Sequence, residues 1–515
     1  MNPPLNPKAD SATVPPLPNS SSTDSATGAS LAQLSPAPLL LSRVRSELAA
    51  DFPPGSPVRL SRAPGRLDVM GGIADYTGSM VCEATLDRAV ATALFPRTDR
   101  QVQVFSFNLF DDHQPFTFRI PLDALATESI DALRRELAQP GRRWAGYVVG
   151  CLAILHYRKL IDLKDPSLKG VNLALLSTVP LGAGVSSSAA IEIASMMNFI
   201  DHYNLRDRLP KGDGRPDAML VSAMCQQVEN QVVGAPCGIM DQVSSCAGES
   251  GTLLRMICQP HNLQPPVHLP DGIRVLGINS NVKHSVGGGM YGKTRCAAFM
   301  GHRIILEKMR EMGLAAGTTL VADPMHGYLA NLDADDYKRL FRPFLPVNIL
   351  GSEFLATYGP TLDTATTVDP AVSYHVQSAT DHHVLEARRV KHFVQCLEAA
   401  AKLPIGDKAR KIELDKAGHL MYGSHISYTK DALLGAPECD LLVDLVRKRE
   451  GRGFYGAKIT GGGSGGTVAV LANIGPTVDA AVQEIMAEYT KQTGLKPEAF
   501  LGDSPGAWAV GTVLI

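Results

Sequence analysis

Three glycine-rich stretches of the chain could each bind a phosphate group. They are PLGAGVSSSAA at 180–190, GGGMYGKT at 287–294 and GGGSGG at 461–466. Because glycine lacks a Cβ atom, the backbone amides of such a stretch can approach an anion closely. A glycine cluster can instead serve only to allow a tight turn. The residues around each stretch must therefore distinguish phosphate binding from a simple turn.

The stretch at 180–190 has the pattern that most favours anion binding. It follows an apolar strand pattern at 171–176 and precedes a long helical pattern, so free amides and the positive end of the helix dipole meet at one place. Three successive serines follow, whereas capping the helix requires only one. We therefore predict that this loop binds phosphate, through Pro180, Gly182, Ala183, Gly184, Ser186, Ser187 and Ser188.

The stretch at 287–294 satisfies the P-loop pattern G-x-x-x-x-G-K-[ST], with Gly287, Gly292, Lys293 and Thr294 at the required positions. In a P-loop the lysine reaches the outer phosphates and the hydroxyl holds Mg²⁺. Here the residues NSNVKHS separate the pattern from the preceding strand, which a P-loop would follow almost directly. A P-loop protein also has a Walker-B motif, an apolar strand that ends in an acidic residue. The candidate here, TLVAD, which ends at Asp323, is poor because its apolar run is short. A P-loop nucleotide hydrolase is therefore the second interpretation.

The stretch at 461–466 also contains G-x-G-x-x-G, the fingerprint of dinucleotide binding. That fingerprint requires a helix after it, whereas TVAVLAN at 467–473 has a strand pattern. We interpret the stretch as a hairpin turn or as a backbone wall that a ligand approaches closely.

Length and composition favour a protein whose binding partners are small molecules. The 515 residues suffice for two domains, and 49 basic against 51 acidic residues give a net charge of −2, which offers no general attraction to nucleic acid or to an anionic membrane. Nine cysteines without a C-x-x-C pair indicate reduced thiols and no structural zinc. No apolar run reaches the roughly 18 residues of a membrane helix, and no secretory signal begins the chain. We expect a cytoplasmic protein; the sequence does not indicate its oligomeric state.

The Pro-, Ser- and Thr-rich start of the chain, residues 1–42, predicts a disordered tail, with a plastid transit peptide as a minor alternative. Helices and strands alternate after it without a regular βαβ rhythm, which favours two mixed domains at 43–275 and 276–515. Periodicity predicts helices at 144–160, 386–402, 414–431 and 476–492, a last strand at 507–515 and an irregular part at 318–380.

Three motifs, in order, resemble the signature motifs of the GHMP small-molecule kinases. They are RAPGRLDVMGGIADYTG at 62–78, PLGAGVSSSAAIE at 180–192 and KITGGGSGGTVAVL at 458–471. VENQVVGAPCGIMDQ at 228–242 and NSNVKHSVGGGMYGKTRC at 279–296 are similar to galactokinase segments, and the similarity is closest to the L-arabinokinase branch. Five ordered segments make the resemblance specific, and it covers the chain from about residue 60 to its end.

The resemblance implies a fold and a reaction. The family fold is a two-domain α+β kinase, with an N-terminal domain resembling ribosomal protein S5 domain 2, a ferredoxin-like C-terminal domain and the active site between them. ATP would then bind at 180–190 and not at Lys293. Asp241 matches the catalytic base and Arg66 the arginine beside it. Ser188 and Glu229 match the hydroxyl and carboxylate near Mg²⁺.

The sugar site implied by the resemblance departs from galactokinases at one place. Galactokinases usually read G-E-H-x-D where this chain has Gly71, Gly72, Ile73, Ala74 and Asp75, and their Glu and His bind the C6 hydroxyl. An apolar side chain in place of these partners suits a pentose, because L-arabinose has the hydroxyl configuration of D-galactose but lacks C6. The other sugar-binding residues implied are Asp75, Cys237, Gly238 and Tyr291.

The expected function is therefore an ATP-dependent sugar 1-kinase that makes L-arabinose 1-phosphate. A galactokinase or a related uronic acid 1-kinase is the alternative within the family. A non-catalytic sugar sensor is a further alternative, although the intact SSSAA segment and Asp241 argue against it. Trp144 could line an adenine pocket or fill the core, and we favour the core.

Overall fold

The computed structural model of the protein describes residues 36–126, 129–209, 217–235, 237–283, 289–315 and 323–515. It contains two main β-sheets with helices packed against them. The strands are β1 Arg59–Met70, β2 Met80–Pro96, β3 Gln101–Ser106, β4 Thr117–Pro121, β5 Val171–Ser177, β6 Thr252–Ile257, β7 Asn262–His268, β8 Ile273–Asn279, β9 Ile349–Leu350, β10 Ser373–Tyr374, β11 Phe454–Ile459, β12 Thr467–Asn473, β13 Glu498–Phe500 and β14 Thr512–Leu514.

The helices complete the list of elements. They are α1 Ala37–Glu47, α2 Phe107–Asp111, α3 Leu122–Leu125, α4 Ile130–Leu137, α5 Arg143–Tyr157, α6 Ser187–His202, α7 Asp217–Gln227, α8 Met240–Ala247, α9 Met290–Ala315, α10 Ala334–Asp336, α11 Gly351–Tyr358, α12 Val376–Ala401, α13 Lys408–Lys430, α14 Pro437–Arg447, α15 Pro476–Thr493 and α16 Ala507–Val510. A π-helical turn, Val228–Val233, continues α7. Their ends follow local chemistry: the Asp407 side chain caps α13, and Gly494 ends α15 with a left-handed φ of 75°.

The larger sheet has eight strands and carries the first half of the site. Its main path runs β14-β1-β2-β5-β3-β4, and the start of the long strand β2 also pairs with β6, which pairs with β7. All pairs are antiparallel except β3 with β5. The largest apolar core lies between this sheet and helices α5, α6 and α7, with α12 contributing from the second half of the chain.

The smaller sheet has four strands in the order β11-β12-β8-β13, all antiparallel. This order, with helices between β8 and β11 and between β12 and β13, is that of a ferredoxin-like domain. A second apolar core packs α14 and α15 against this sheet. The predicted α+β class is thus confirmed, and the two sheets carry different parts of the site.

The structure moves both predicted domain boundaries. Helix α1 buries Ala37, Leu40 and Val44 in an apolar cluster against the larger sheet, so the packed structure begins before residue 43. The remainder of the predicted tail, residues 1–35, lies outside the described residues. The boundary predicted at 275/276 would cut strand β8, which belongs entirely to the smaller sheet. The chain passes from the larger to the smaller sheet between β7 and β8.

Three predicted elements also differ from the structure. The described part of the segment predicted to be irregular, 323–380, holds short helices and the β9–β10 pair around an apolar cluster of its own. Helix α12 starts ten residues before the predicted start at 386. The predicted last strand, 507–515, begins as helix α16, and only Thr512–Leu514 pairs with β1.

The structure also describes the state of the cysteines and the length and polarity of the helices. All nine cysteines are free, and seven of them are buried. Over the described ranges, every helix is too short or too polar to pass through a bilayer.

Candidate active site

A cavity of about 700 Å³ opens between the two sheets and contains most of the residues predicted from the sequence. Its volume suits a small-molecule site. Its predicted lining residues are Arg66, Ile73, Asp75, Gly182, Gly184, Ser186, Ser187, Ser188, Glu229, Cys237, Gly238, Asp241 and Tyr291. The other lining residues are Arg143, Trp144, Tyr147, Val185, Gly234, Ala235, Met240, Gly461 and Gly462. Among them, the sequence allowed an adenine-pocket role for Trp144 and a backbone-wall role for the stretch at 461–466.

The loop between β5 and α6 forms one wall of the cavity. Gly182 and Gly184 adopt left-handed φ angles of 72° and 70°, and Ser186 adopts 61°, which is strained for a residue with a Cβ atom. The buried hydroxyl of Ser186 has no hydrogen-bond partner among the described residues. Because Ser186, Ser187 and Ser188 line the cavity at the start of α6, where backbone amides are left free by the helix, the wall can bind an anion.

The glycine turn between β11 and β12 buttresses this loop. Thr467 Oγ1 donates to the carbonyl of Ala183 at 2.9 Å. A Cβ atom on Gly461 would lie 2.5 Å from the carbonyl oxygen of Gly184, so the close approach requires glycine. The stretch at 461–466 is therefore a hairpin turn, the first of its two interpretations, and its Gly461 and Gly462 line the cavity.

An arginine and an aspartate meet at the centre of the cavity. Strand β1 bulges between Pro64 and Arg66, which redirects the Arg66 side chain. Arg66 donates from Nη2 and Nε to Asp241 Oδ1 at 2.7 and 3.0 Å, and from Nη1 to the carbonyl of Gly184 at 2.8 Å. Asp241 lies in the first turn of α8. The arginine thus joins the carboxylate to the anion-binding loop.

Behind Arg66 lies a second carboxylate that the sequence analysis missed. Glu83 Oε2 is 3.2 Å from Arg66 Nε, and both side chains are almost fully buried. Burial raises the pKa of Glu83 well above its usual range, and the charge of Asp68 adds to this. Burial by itself would lower the pKa of Arg66, but the charges of Asp241 and Glu83 outweigh it and raise that pKa. Arg66 therefore stays charged.

A hydroxyl and a carboxylate that could hold a divalent cation lie side by side. The π-helical turn, a feature frequent at functional sites, carries Glu229 toward the start of α6, where it lies near Ser188. Burial and the charge of Asp241 raise the pKa of Glu229 to about 7. The amide of Gln242 donates to Glu229 at 2.8 Å and to Glu192 at 3.1 Å. Oxygen donors of this kind are those that Mg²⁺ prefers, so the residues present fit the ion.

The opposite end of the cavity combines one apolar and one acidic side chain. Ile73 adopts a left-handed φ of 55° and is only 2% exposed. Asp75 lies against Gly238, where a Cβ atom would be 1.5 Å from Asp75 Oδ2. Within the part of the chain that the structure describes, the buried Asp75 Oδ1 has no hydrogen-bond partner, and it can accept a hydrogen bond from a ligand hydroxyl. Burial raises the pKa of Asp75 to about 6, so the carboxylate is mostly ionised at neutral pH.

Three predicted site residues do not line the cavity. Pro180 and Ala183 belong to the anion-binding loop, but Ala183 directs its carbonyl to the glycine turn. Gly72 lies behind the wall, because the direction of its missing side chain is filled by Tyr428 and Asp68. Its neighbour Ile73 reaches the cavity instead.

Aromatic side chains from α5 line the end of the cavity near the π-helical turn. Trp144 and Tyr147 pack one side against the core and are only partly buried. Trp144 thus packs against the core, as predicted, but it also lines the cavity. Such rings can stack on a nucleobase, with Arg143 beside them. The sequence signal that could have pointed to this part of the cavity is the pair of aromatic residues in the first turns of an apolar helix.

The P-loop interpretation is wrong for the residues that the structure describes. Lys293 and Thr294 lie in helix α9 and not in a loop, and Lys293 does not line the cavity. The buried Thr294 hydroxyl donates to the carbonyl of Ala432 at 2.8 Å. Asp323 accepts hydrogen bonds in its own turn and contacts His302. Gly287 lies outside the described residues.

Known proteins resemble this chain in sequence and in fold. The sequence model described as "GHMP kinases N terminal domain" matches residues 146–249. The L-arabinokinase of Arabidopsis thaliana is 34% identical over 88% of this chain, and the match spans 46% of that longer protein. The galactokinase of Chloroflexus aggregans is 30% identical over 85% of this chain and 90% of its own length. The structure of Lactococcus lactis galactokinase in complex with galactose superposes with a TM-score of 0.66 at 21% identity, covering 92% of this chain and 99% of that one.

Proposed function

Because the chain belongs to the GHMP kinase family, of the galactokinase and L-arabinokinase type, we propose that it phosphorylates the anomeric hydroxyl of L-arabinose with ATP. The observation that carries the proposal is the convergence of the serine loop, Asp241 and Ile73 on one cavity. The loop accounts for the phosphates, the aspartate for the attacking hydroxyl and the isoleucine for a sugar without C6. The chain spans less than half of the plant L-arabinokinase, so the activity is proposed for this chain on its own residues.

Transfer of a phosphoryl group needs alignment, charge neutralisation and a base near the attacking hydroxyl. Asp241 accepts the proton of the anomeric hydroxyl as the hydroxyl oxygen bonds to the γ-phosphorus of ATP. The bond from that phosphorus to the β–γ bridging oxygen breaks, and ADP leaves. Arg66 holds the Asp241 carboxylate and also reaches the carbonyl of Gly184, so it lies between sugar and phosphate. Its positive charge stabilises the negative charge that develops on the transferred group.

ATP would lie along the wall formed by the loop and α5. The amides and hydroxyls at 182–188 bind its phosphates, and Trp144 with Tyr147 contacts the adenine ring. Ser188 and Glu229 would hold Mg²⁺, which neutralises charge on the β- and γ-phosphates.

The apolar end of the cavity supports a pentose. The hydroxymethyl group of galactose would bury an unpaired hydroxyl near Ile73, which costs about 1–3 kcal/mol. An apolar pocket discriminates against an added hydroxyl by only about 10²-fold. A weak galactokinase activity is therefore compatible with the proposal. Galacturonate is disfavoured, because the nearby Arg295 already forms a two-point ion pair with Asp363.

A panel of sugars tests the proposal. We expect ATP-dependent ADP release with L-arabinose, a roughly 10- to 10²-fold lower kcat/KM with D-galactose and no measurable turnover with D-galacturonate. The measurement is a coupled ADP-release assay with Mg²⁺, and identification of the product as the 1-phosphate. Omission of sugar is the control for ATP hydrolysis.

Each other outcome selects an alternative. A higher kcat/KM for galactose than for arabinose would make the protein a galactokinase, which the 30% identical bacterial relative favours. ADP release that no sugar stimulates would contradict a sugar kinase.

A further inference from the structure

Position 72 has no room for a side chain. A Cβ atom on Gly72 would lie 1.8 Å from Tyr428 Oη and 2.0 Å from Asp68 Oδ2. The volume beside this residue is thus occupied by two polar side chains from α13 and β1, and one of them, Tyr428, belongs to the same apolar core as the neighbouring Ile73. The wall of the cavity at Ile73 is backed by protein and not by solvent.

The residues behind the wall form a buried polar group, here called the back-wall cluster: Asp68, Tyr428 and Lys458. All three are fully buried. Lys458 Nζ donates to Asp68 Oδ2 at 2.9 Å and to the Asp68 carbonyl at 3.1 Å. The Tyr428 hydroxyl lies 3.4 Å from Asp68 Oδ2 and donates to the carbonyl of Gly461 at 2.8 Å. The cluster therefore joins the turn at Gly72 to the glycine turn across both sheets.

Ile73 is held in an unfavourable conformation above this cluster. A left-handed φ is rare for a β-branched residue and persists only where the surroundings enforce it. The Gly71 amide donates to Glu386 Oε1 at 3.3 Å, and His382 Nε2 donates to the Gly72 carbonyl at 3.3 Å. Ile73 also packs in the same apolar core as Tyr428. Fixation from behind and from the side prevents the isoleucine from withdrawing.

We propose that Tyr428 and Asp68 are positioning residues for sugar selectivity. This inference rests on the proposed function. By filling the volume behind Gly72 they keep Ile73 pressed against the sugar end of the cavity, so a hydroxymethyl group on the fifth carbon meets a wall that cannot yield. Neither residue touches the sugar. An ion pair this deeply buried contributes little net stability compared with apolar packing, whereas it can fix one arrangement of the residues above it.

The substitution Tyr428→Phe tests the proposal, because it removes only the oxygen that lies behind Gly72. We expect the ratio of kcat/KM for L-arabinose over D-galactose to fall about fivefold, the factor that corresponds to one ordinary hydrogen bond. The change should appear in the KM for the sugars, and the KM for ATP should stay unchanged.

Tyr489→Phe is the matched control. Tyr489 is fully buried in the same apolar core, and its hydroxyl also donates to a backbone carbonyl, that of Ser280, at 2.8 Å. Both variants lose one buried hydroxyl and should melt at similar temperatures. Only Tyr428→Phe should change the sugar ratio.

A second pair of variants tests independently whether position 72 and the back-wall cluster act together. Gly72→Ala should lower kcat/KM for arabinose about tenfold or more, because its Cβ atom overlaps the cluster. Adding Tyr428→Phe should restore part of this loss, a coupling that two unrelated defects would not show.

The outcomes separate this inference from the proposed function. If the unmodified protein phosphorylates no sugar, both fail. If it is active but Tyr428→Phe discriminates between the sugars as Tyr489→Phe does, or if the double variant shows no recovery, only the role of the back-wall cluster is overturned.

Discussion

Asp241→Asn is expected to lower kcat by about 10²–10⁴-fold while ATP still binds, because the amide cannot accept the proton of the attacking hydroxyl. The substitution keeps the size of the side chain and an oxygen that Arg66 can contact. It leaves the anion-binding loop in place. Single-turnover phosphoryl transfer and calorimetric titration with ATP measure the two effects separately.

Lys293→Ala is the matched control for the P-loop alternative. Lys293 lies in α9 away from the cavity lining, so we expect its replacement to leave nucleotide affinity and kcat within about twofold, as for surface substitutions generally. Loss of ATP binding in Lys293→Ala together with normal turnover in Asp241→Asn would reverse the assignment of the two sites.

Arg66→Ala is expected to reduce both turnover and stability. Turnover should fall by about 10²–10³-fold, because a donor aimed at the developing charge is lost. The free energy of unfolding should fall by about 1–3 kcal/mol, because the substitution leaves the buried carboxyl group of Glu83, whose pKa is already raised, without its polar partner. Chemical denaturation and steady-state kinetics measure the two losses.

The double variant Arg66→Ala, Glu83→Leu distinguishes these causes. Removing the unpartnered buried carboxyl group should recover part of the stability but none of the turnover. Arg449→Ala is the control: Arg449 also contacts two carboxylates, Glu484 and Glu488, but at the surface, where such pairs contribute about 0–1 kcal/mol. Near-normal turnover in Arg66→Ala would exclude the arginine from the reaction.

Sequence patterns were informative where a local rule decides the structure. The strand, glycine loop and helix at 171–202 could be predicted because strand periodicity, helix periodicity and loop glycines each leave a local trace. The same holds for helices α5, α13 and α15. The resemblance of three ordered motifs to the GHMP kinases added the fold and brought distant residues such as Arg66 and Asp241 into one site.

Features that depend on packing between distant segments could not be predicted. Gly72 was assigned to the sugar site because the resemblance marks its position, and only the placement of Tyr428, more than 300 residues away in the chain, shows that the space beside it is filled. Glu83 and Lys458 each stand alone in an apolar strand, VCEATL and FYGAKI, which in retrospect signals a buried charge. Their partners cannot be read from local sequence.

The most direct test of the account is the position of bound substrates. A crystal structure with a non-hydrolysable ATP analogue, Mg²⁺ and L-arabinose should place the triphosphate along residues 182–188 and the anomeric oxygen within hydrogen-bonding distance of Asp241, with Ile73 against the fifth carbon. A triphosphate at Lys293, or a sugar whose anomeric oxygen lies remote from Asp241, would contradict it.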